Sequence, residues 1–289
     1  MDRIDVAIIG GGPAGLSAAL QLGRARKRVV VFDGAPRRNQ KAHHMNGFVS
    51  RDHIVPDDFR AAARIDLARY PNVAFHDVPV TRIDGAIDAF EVAAGDVLRA
   101  RRVLLAVGVR DVMPPIEGFA ALWGERIVTC PYCHGWEIQD QRFAVLADDM
   151  RVIEHAPIFT GWSSDVHLLT NGFTVPADVR AKLRMPIDER PIARLDADAE
   201  AMTIVFADGG TLVRDVLFTR PPQEPVALVQ AMGLELDGPL VKVDGQQRTS
   251  IPGIYASGDS QTMMQSAILA AASGALAAVN LNRELTIGH

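Results

Sequence analysis

The stretch Asp5-Val6-Ala7-Ile8-Ile9-Gly10-Gly11-Gly12-Pro13-Ala14-Gly15 opens the chain almost at once. Its apolar run ends in glycines, the pattern of a fully buried strand. A helical pattern follows from Leu16 to Leu22, and a second apolar run, Val29 to Phe32, ends at Asp33. Together they predict a βαβ unit with G-x-G-x-x-G in its first turn. Gly10 permits the tight turn, Gly12 lets the backbone approach a pyrophosphate, and Gly15 lets helix and strand pack closely. The helix start offers unpaired N–H groups and a positive dipole to phosphates. Asp33 comes about 18 residues after Gly15, near the roughly 20 expected for a carboxylate on ribose hydroxyls. A bare glycine motif is weak evidence, but here the strand, helix, second strand and terminal acid all accompany it.

Composition bounds the rest. With 289 residues the chain is long enough for about two domains. It is 48% hydrophobic and 22% charged, ordinary for a soluble globular protein. A net charge of −5 argues against nucleic acid as the main partner, since phosphate binding needs a basic surface. No run approaches the roughly 20 apolar residues of a membrane span, so no membrane partner is expected. The nearest candidate, Ala267 to Val279, is short and broken by Ser273 and Gly274. The N-terminus does not read as a secretory signal, and a cytoplasmic protein is expected. The only two cysteines, Cys130 and Cys133, form one C-x-x-C. A disulfide scaffold needs more cysteines and structural zinc needs four ligands, so no metal is expected and a redox pair is the first reading.

Between these landmarks the chain alternates. Residues 34–60 are polar and turn-rich; a helix is predicted from Pro56 to Tyr70 and short strands at Val73–Phe75, Val80–Ile83, Phe90–Ala93 and Val103–Val107. Val109 to Glu117, with Pro114-Pro115, reads as a linker. Beyond it come a strand at Phe143–Ala147, a helix at Val152–Phe159 and a strand at Val166–Thr170, then a small α/β tail over 174–220. A strand entry at Thr249–Ala256 and an Ala-rich helix from Gln265 to Leu281 close the chain.

Four motifs coincide in order and spacing: the N-terminal G-x-G-x-x-G, Leu105-Ala106-Val107-Gly108, Cys130-Pro131-Tyr132-Cys133, and Ile254-Tyr255-Ala256-Ser257-Gly258-Asp259. As a set they resemble the low-molecular-weight thioredoxin reductase family of FAD flavoproteins, over essentially the whole chain. The resemblance implies an α/β fold of two Rossmann-like βαβ domains, the second inserted into the first. The FAD domain would comprise 1–111 and 244–289, and the insert, carrying the C-x-x-C, 112–243. Carried over residue by residue, Gly10, Gly12, Pro13, Ala14, Gly15 and Asp33 would hold the ADP part of FAD. Asn39, Gln40 and Asn46 fall in the segment that lines the flavin, and Val80 and Gly108 join the cofactor-binding set. Gly258 and Asp259 match the motif whose Asp binds the ribityl chain. Gln265, Ser266 and Ala267 match the helix start facing the flavin pyrimidine, where a helix N-terminus would favour negative charge. The family also implies a homodimer, with Cys133 against the flavin and Cys130 meeting the substrate.

His134 departs from the reductase pattern, in which an acid follows the second cysteine. With an unperturbed pKa near 6.5, a histidine there can take a proton from a thiol. The run Cys130 to Glu137 is similar to a subgroup of the family, the dithiol oxidases that close disulfides in natural products of the gliotoxin and holomycin type. Those enzymes move electrons from a dithiol through C-x-x-C and FAD to O2. A reductase needs a second glycine turn for NADPH, but Phe143-Ala144-Val145-Leu146 runs into Ala147-Asp148-Asp149-Met150-Arg151-Val152. No glycine is left, and two carboxylates stand where a pyrophosphate would lie, a repulsive arrangement. After the next strand comes Thr170-Asn171-Gly172, with no arginine pair for a 2′-phosphate. NADPH is therefore not expected. The preferred reading is a dithiol oxidase acting through Cys130, Cys133 and His134 on a small-molecule or thioredoxin-like dithiol. The alternative is a reductase of protein disulfides fed by ferredoxin or NADPH; a flavin-binding sensor comes third. His43 and His44 read as solvated loop residues, Asp148 and Asp149 likewise, and Trp136 and Trp162 as core.

Overall fold

The opening apolar run forms β1 (Ile4–Ile9), and Pro13 starts α1 (Pro13–Arg24) where its missing N–H costs nothing. The first unit continues with β2 (Val29–Phe32), α2 (Pro56–Leu67), β3 (Val73–His76), β4 (Arg82–Asp84), β5 (Phe90–Ala94), β6 (Asp96–Leu105) and β7 (Arg110–Asp111). Strands β3, β2, β1 and β6 run parallel in that order, and β5 and β4 extend the sheet antiparallel. Side chains alternate across β1. Ala7 and Ile9 pack with Phe32, Phe90 and Val103 on one face, while Val6 and Ile8 pack with Leu16, Leu22 and Tyr255 on the other. The computed structural model describes residues 3–34 and 36–288, so Ala35 of the turn-rich segment lies outside it.

Three expectations shift here. Helix α2 stops at Leu67 rather than Tyr70, because Pro71 disfavours a helical residue before it. Strand β6 begins at Asp96, well before Val103, because Gly95 (φ +80°) turns a tight hairpin out of β5. Strand β4 starts at Arg82, so Val80 precedes it and packs against the core instead.

The second unit contains α3 (Phe119–Leu122), β8 (Ile127–Val128), α4 (Pro131–His134), β9 (Phe143–Leu146), α5 (Met150–His155), β10 (Val166–Leu169), α6 (Ala177–Arg180) and β11 (Ile187–Asp188). After them come β12 (Ile192–Ala197), β13 (Met202–Phe206), β14 (Thr211–Arg214) and β15 (Val216–Phe218). A five-stranded parallel sheet has the order β11-β10-β9-β15-β8, with β9–α5–β10 as its βαβ unit. Helix α5 ends at His155 and gives way to 3-10 turns over Ala156–Gly161; Pro157 supplies no N–H to carry it to Phe159. The segment expected as an α/β tail is mainly the antiparallel sheet β12-β13-β14.

The chain then returns through β16 (Gln223–Glu224), α7 (Ala227–Ala231), β17 (Leu236–Asp237), β18 (Leu240–Val241), β19 (Ile254–Ala256) and α8 (Ala267–Ile287). The two compact units are Met1–Asp111 with Gln223–His289, and Val112–Pro222. The insert therefore ends at Pro222, not at 243. Val229, Leu234 and Val241 belong to the core of the first sheet, which draws 223–243 into that unit. The expected linker begins as a strand, since β7 pairs with β16. Both units have the Rossmann-like βαβ arrangement anticipated from the sequence. Among the described residues no helix is long and apolar enough to cross a membrane.

Candidate active site

The carboxyl ends of β1, β2, β6 and β19 lie side by side in the first sheet, the edge where such sheets bind ligands. Gly10 has φ +109°, and a Cβ there would sit 2.2 Å from the Ala106 carbonyl. A Cβ on Gly15 would sit 1.9 Å from the Gly10 carbonyl, so strand and helix meet backbone to backbone. Gly12 is the N-cap of α1, makes no side-chain cap, and has open space beside it. Pro13 and Ala14 form the first turn of that helix, and Ala14 abuts Gly274 of α8, where a Cβ would lie 2.0 Å from its carbonyl. An uncapped helix start beside open space fits a pyrophosphate. The Asp33 side chain, 7% exposed, accepts from Gly11 N at 3.2 Å, from Arg64 at 3.3 Å, and from Arg60. Arg60 also donates to the Gly11 carbonyl at 2.7 Å. These two arginines were missed in the sequence, although their i,i+4 spacing on α2 marks one face.

A second group lies in the same unit. Gly108 (φ +65°) and Gly258 (φ +79°) end the segments after β6 and β19, and Gly258 N donates to Ser273 Oγ at 2.8 Å. Ser266 caps α8 by accepting from Leu269 N at 3.4 Å, with Ala267 the first helical residue. Arg38 gathers this region. Its Nε and Nη2 take both oxygens of Asp111 at 2.6 and 2.8 Å. Its Nη1 reaches Gln265 Oε1 at 2.7 Å and Asp259 Oδ2 at 3.3 Å. Asn39 and Gln40 stand exposed in the adjoining turn. Asn46 Oδ1 lies 3.3 Å from His53 Nδ1, and His53 stacks on His44 with centroids 3.8 Å apart. His44 is thus engaged rather than simply solvated, while His43 is exposed. The glycine cradle, the helix N-terminus and the nearly buried carboxylate together fit an FAD.

In the second unit Cys130 and Cys133 form a disulfide, with Cα atoms 5.2 Å apart. Cys130 is the N-cap of α4 and Pro131 its first residue. His134 ends the same helix, and its buried Nδ1 has no hydrogen-bond partner. Burial pushes its pKa below the ordinary histidine value, outweighing the opposing effects of the Cys130 backbone and the Glu137 charge. The ring is therefore neutral at pH 7, and its orphaned nitrogen would cost about 1–3 kcal/mol if it served only packing. Trp162 packs in the core and meets Tyr132 edge-on at 5.1 Å. Trp136 does not pack in the core; it is 74% exposed. Gly135 takes the inward place instead, since a Cβ there would lie 2.6 Å from the Trp162 ring.

The second βαβ turn differs from the first in kind. Asp149 caps α5, and its Oδ1 accepts from Arg151 N at 2.9 Å and Val152 N at 3.3 Å. Asp149 is thus a helix cap whose side chain remains 48% exposed, and Asp148 beside it is exposed. After β10, Thr170 Oγ1 donates to the Phe173 carbonyl at 2.5 Å and Asn171 Oδ1 accepts from Ile192 N at 2.7 Å. This turn is tied both to itself and to the start of β12.

Comparisons with known proteins bear on the family and the fold. Residues 4–158 match the family described as pyridine nucleotide-disulphide oxidoreductase. The thioredoxin reductase tcpT of Claviceps purpurea is 35% identical, over 95% of this chain and 92% of its own. An oxidoreductase from Agrobacterium tumefaciens superposes with a TM-score of 0.93 at 34% identity, covering 100% of both chains. The structure of HlmI gives a TM-score of 0.90 at 34% identity, over 98% of this chain and 92% of that one. The chain therefore belongs to the pyridine nucleotide-disulphide oxidoreductases, in their low-molecular-weight thioredoxin-reductase-like branch, and is an FAD-dependent thiol/disulfide oxidoreductase.

Proposed function

We propose that this enzyme is a dithiol oxidase. It closes a disulfide in a small-molecule or protein dithiol through Cys130 and Cys133 and delivers the electrons to O2 without NADPH. One observation carries this reading: the Asp149 carboxylate occupies the N-terminus of α5, where a pyridine nucleotide would need to place its pyrophosphate. A carboxylate held in the chain both fills the N–H donors and repels a second anion. With no nicotinamide to feed the flavin, the dithiol becomes the reductant.

The residues divide the work. One substrate thiolate attacks Cys130 Sγ, the Cys130–Cys133 bond breaks, and Cys133 leaves as a thiolate. The second substrate thiol attacks the mixed disulfide, which releases the oxidised substrate and the Cys130 thiolate. Two protons leave the substrate in all. The neutral, unpaired Nδ1 of His134 accepts one, and solvent takes the other. FAD, when bound, would take two electrons as the Cys130 and Cys133 thiolates close again to the disulfide, and those electrons, with the two protons lost by the substrate, would reduce O2 to hydrogen peroxide. Gly10, Gly12, Pro13, Ala14, Gly15 and Asp33 would hold its ADP part. Gly258, Asp259, Gln265, Ser266 and Ala267 would hold the ribityl chain and flavin, with Asn39, Gln40, Asn46, Val80 and Gly108 beside them. The apolar residues Ile268, Leu269, Leu276 and Val279, each more than 40% exposed on α8, support a homodimer as the working unit.

The test is anaerobic mixing of the yellow protein with NADPH, with reduced ferredoxin and with a dithiol. A dithiol should bleach the flavin and air should restore it, while NADPH leaves it oxidised. Rapid bleaching by NADPH or ferredoxin would make the enzyme a reductase instead. Replacing Cys133 by Ser should keep the protein yellow and abolish turnover.

A further inference from the structure

We infer that Arg38 is a positioning residue of the flavin site, holding the Asp259 carboxylate and the Gln265 amide in place from an anchor on Asp111. The inference rests on reading Asp259 and Gln265 as flavin-side residues.

The geometry is that of a fork used on both sides. Nε and Nη2 grip the two Asp111 oxygens at 2.6 and 2.8 Å, a bidentate pair that fixes the plane of the guanidinium. The Asp111 side chain is 4% exposed, so this anchor is shielded from solvent. The third nitrogen is thereby aimed, and it donates to Gln265 Oε1 at 2.7 Å and reaches Asp259 Oδ2 at 3.3 Å. Gln223 braces Asp111 and Gln265 as well. Its Nε2 donates to Asp111 Oδ1 at 3.0 Å and to Gln265 Oε1 at 3.0 Å, and its Oε1 accepts from Gln265 Nε2 at 2.9 Å. The Gln265 carboxamide is thus oriented from both sides. Four segments distant in sequence meet here: the turn after β2, strand β7, strand β16 and the approach to α8.

A simple clip between segments would be complete with Arg38 and Asp111 alone. The third nitrogen does more, because it addresses the two side chains proposed to contact ribityl and flavin. A lysine cannot substitute, since a single ammonium has no planar fork to divide between anchor and site.

The test compares holoenzymes carrying Arg38→Gln, Arg38→Lys, Asp111→Asn, Asp259→Asn and the Arg38→Gln/Asp111→Asn pair. It measures the FAD dissociation constant by flavin fluorescence on dilution, the visible spectrum of bound flavin, and the melting temperature of each apoprotein. Losing charge-assisted hydrogen bonds to a preset site should weaken FAD about tenfold. This loss is expected in Arg38→Gln and Asp111→Asn alike. The paired variant should be no weaker than the poorer single, Arg38→Lys should rescue little, and the flavin spectrum should shift. Unchanged FAD affinity in Arg38→Gln alongside a tenfold loss in Asp259→Asn would overturn the inference and leave the flavin reading intact. Unchanged affinity in Asp259→Asn would overturn that reading itself. Additive losses that merely track apoprotein melting, with an unshifted spectrum, would reduce Arg38 to a structural clip. Should Arg38→Gln fail to fold, Asp111→Asn and Arg38→Lys decide the same question.

Discussion

The two βαβ units solve one geometric problem in opposite ways. In the first, Gly12 starts α1 without a side-chain cap, and the space a side chain there would fill is open. In the second, Asp149 starts α5 and spends its own carboxylate on Arg151 N and Val152 N. The strands leading in are alike, both wholly or almost wholly buried. On the proposed reading, a strand-turn-helix becomes an anion site only when nothing in the chain already fills the anion's place. A carboxylate one methylene from the backbone is always present at high effective concentration, so a free pyrophosphate competes at a disadvantage. Helix α5 is also short, six residues against twelve in α1.

The comparison breaks most visibly if the first turn is made to imitate the second. Gly12→Asp puts a favourable N-cap on α1 and a fixed negative charge where the pyrophosphate would lie. The protein should fold with an unchanged far-UV circular dichroism spectrum and purify colourless. A variant that stays yellow would mean that the open N-terminus of α1 is not what holds the cofactor.

A smaller effect is expected in the second unit at His134. As a general base it should contribute about 10²-fold, so His134→Gln should slow turnover by that order while leaving the flavin bound. The direction of the pH dependence follows from its environment. Burial lowers the folded pKa below 6.5, so the neutral base is present at pH 7 and the rate falls only as pH drops through that lowered value. The acid limb should vanish in His134→Gln. A limb that persists unchanged in the variant would assign the proton to another group.

How much of this was legible beforehand follows from the range of the interactions. The G-x-G-x-x-G turn was legible because its demands are local: φ at Gly10 and close backbone approach at Gly15 can be met only by glycine. The absence of glycines in the second turn was equally plain, yet the cap formed by Asp149 was not, since two adjacent acids look alike until a helix starts at one of them. The return boundary was misjudged because 223–243 has no strong periodic pattern. Its place is decided by Val229, Leu234 and Val241 finding the first core. The partners of Asp33, and the meeting of Arg38 with Asp111 and Asp259, depend on contacts between residues tens to hundreds of positions apart. No window of sequence contains them. Trp136 failed for a related reason, because its neighbour Gly135 took the inward position beside Trp162.

Opening the second turn sharpens the contrast at lower amplitude. Asp149→Ala removes the cap of α5 and should cost about 0.5–2 kcal/mol of stability in urea unfolding. It should not confer flavin reduction by NADPH, because the glycines and the arginine pair remain missing. Rapid bleaching by NADPH in this variant would show that the carboxylate alone closed the site.

The finest distinction between the units lies in how each sheet is tied to its surroundings, and it predicts opposite responses to pH. In the first, the buried Tyr255 hydroxyl on β19 donates to Glu284 of α8, which also pairs with Arg102. Burial, then the Glu284 hydrogen bond, pushes Tyr255 up to about 12. A raised tyrosine pKa means that the folded state holds the proton more tightly than the unfolded chain. Its contribution is complete below pH 10 and is lost as pH climbs from 10 to about 12. In the second unit His167 on β10 accepts from Arg214 at 2.9 Å, and burial, then the Arg214 charge, lowers its pKa. There the folded state prefers the neutral ring, so stability is complete above pH 6.5 and declines as pH falls through the lowered value. Hydrogen exchange read by peptide should therefore show 223–289 losing protection first on the alkaline side. Residues 112–222 should lose protection earlier on the acid side than they do in His167→Asn, and Tyr255→Phe should flatten the alkaline loss. If both units instead lost protection together at each extreme, the two sheets would unfold as one cooperative body, and the separate ties could not be read from their titrations.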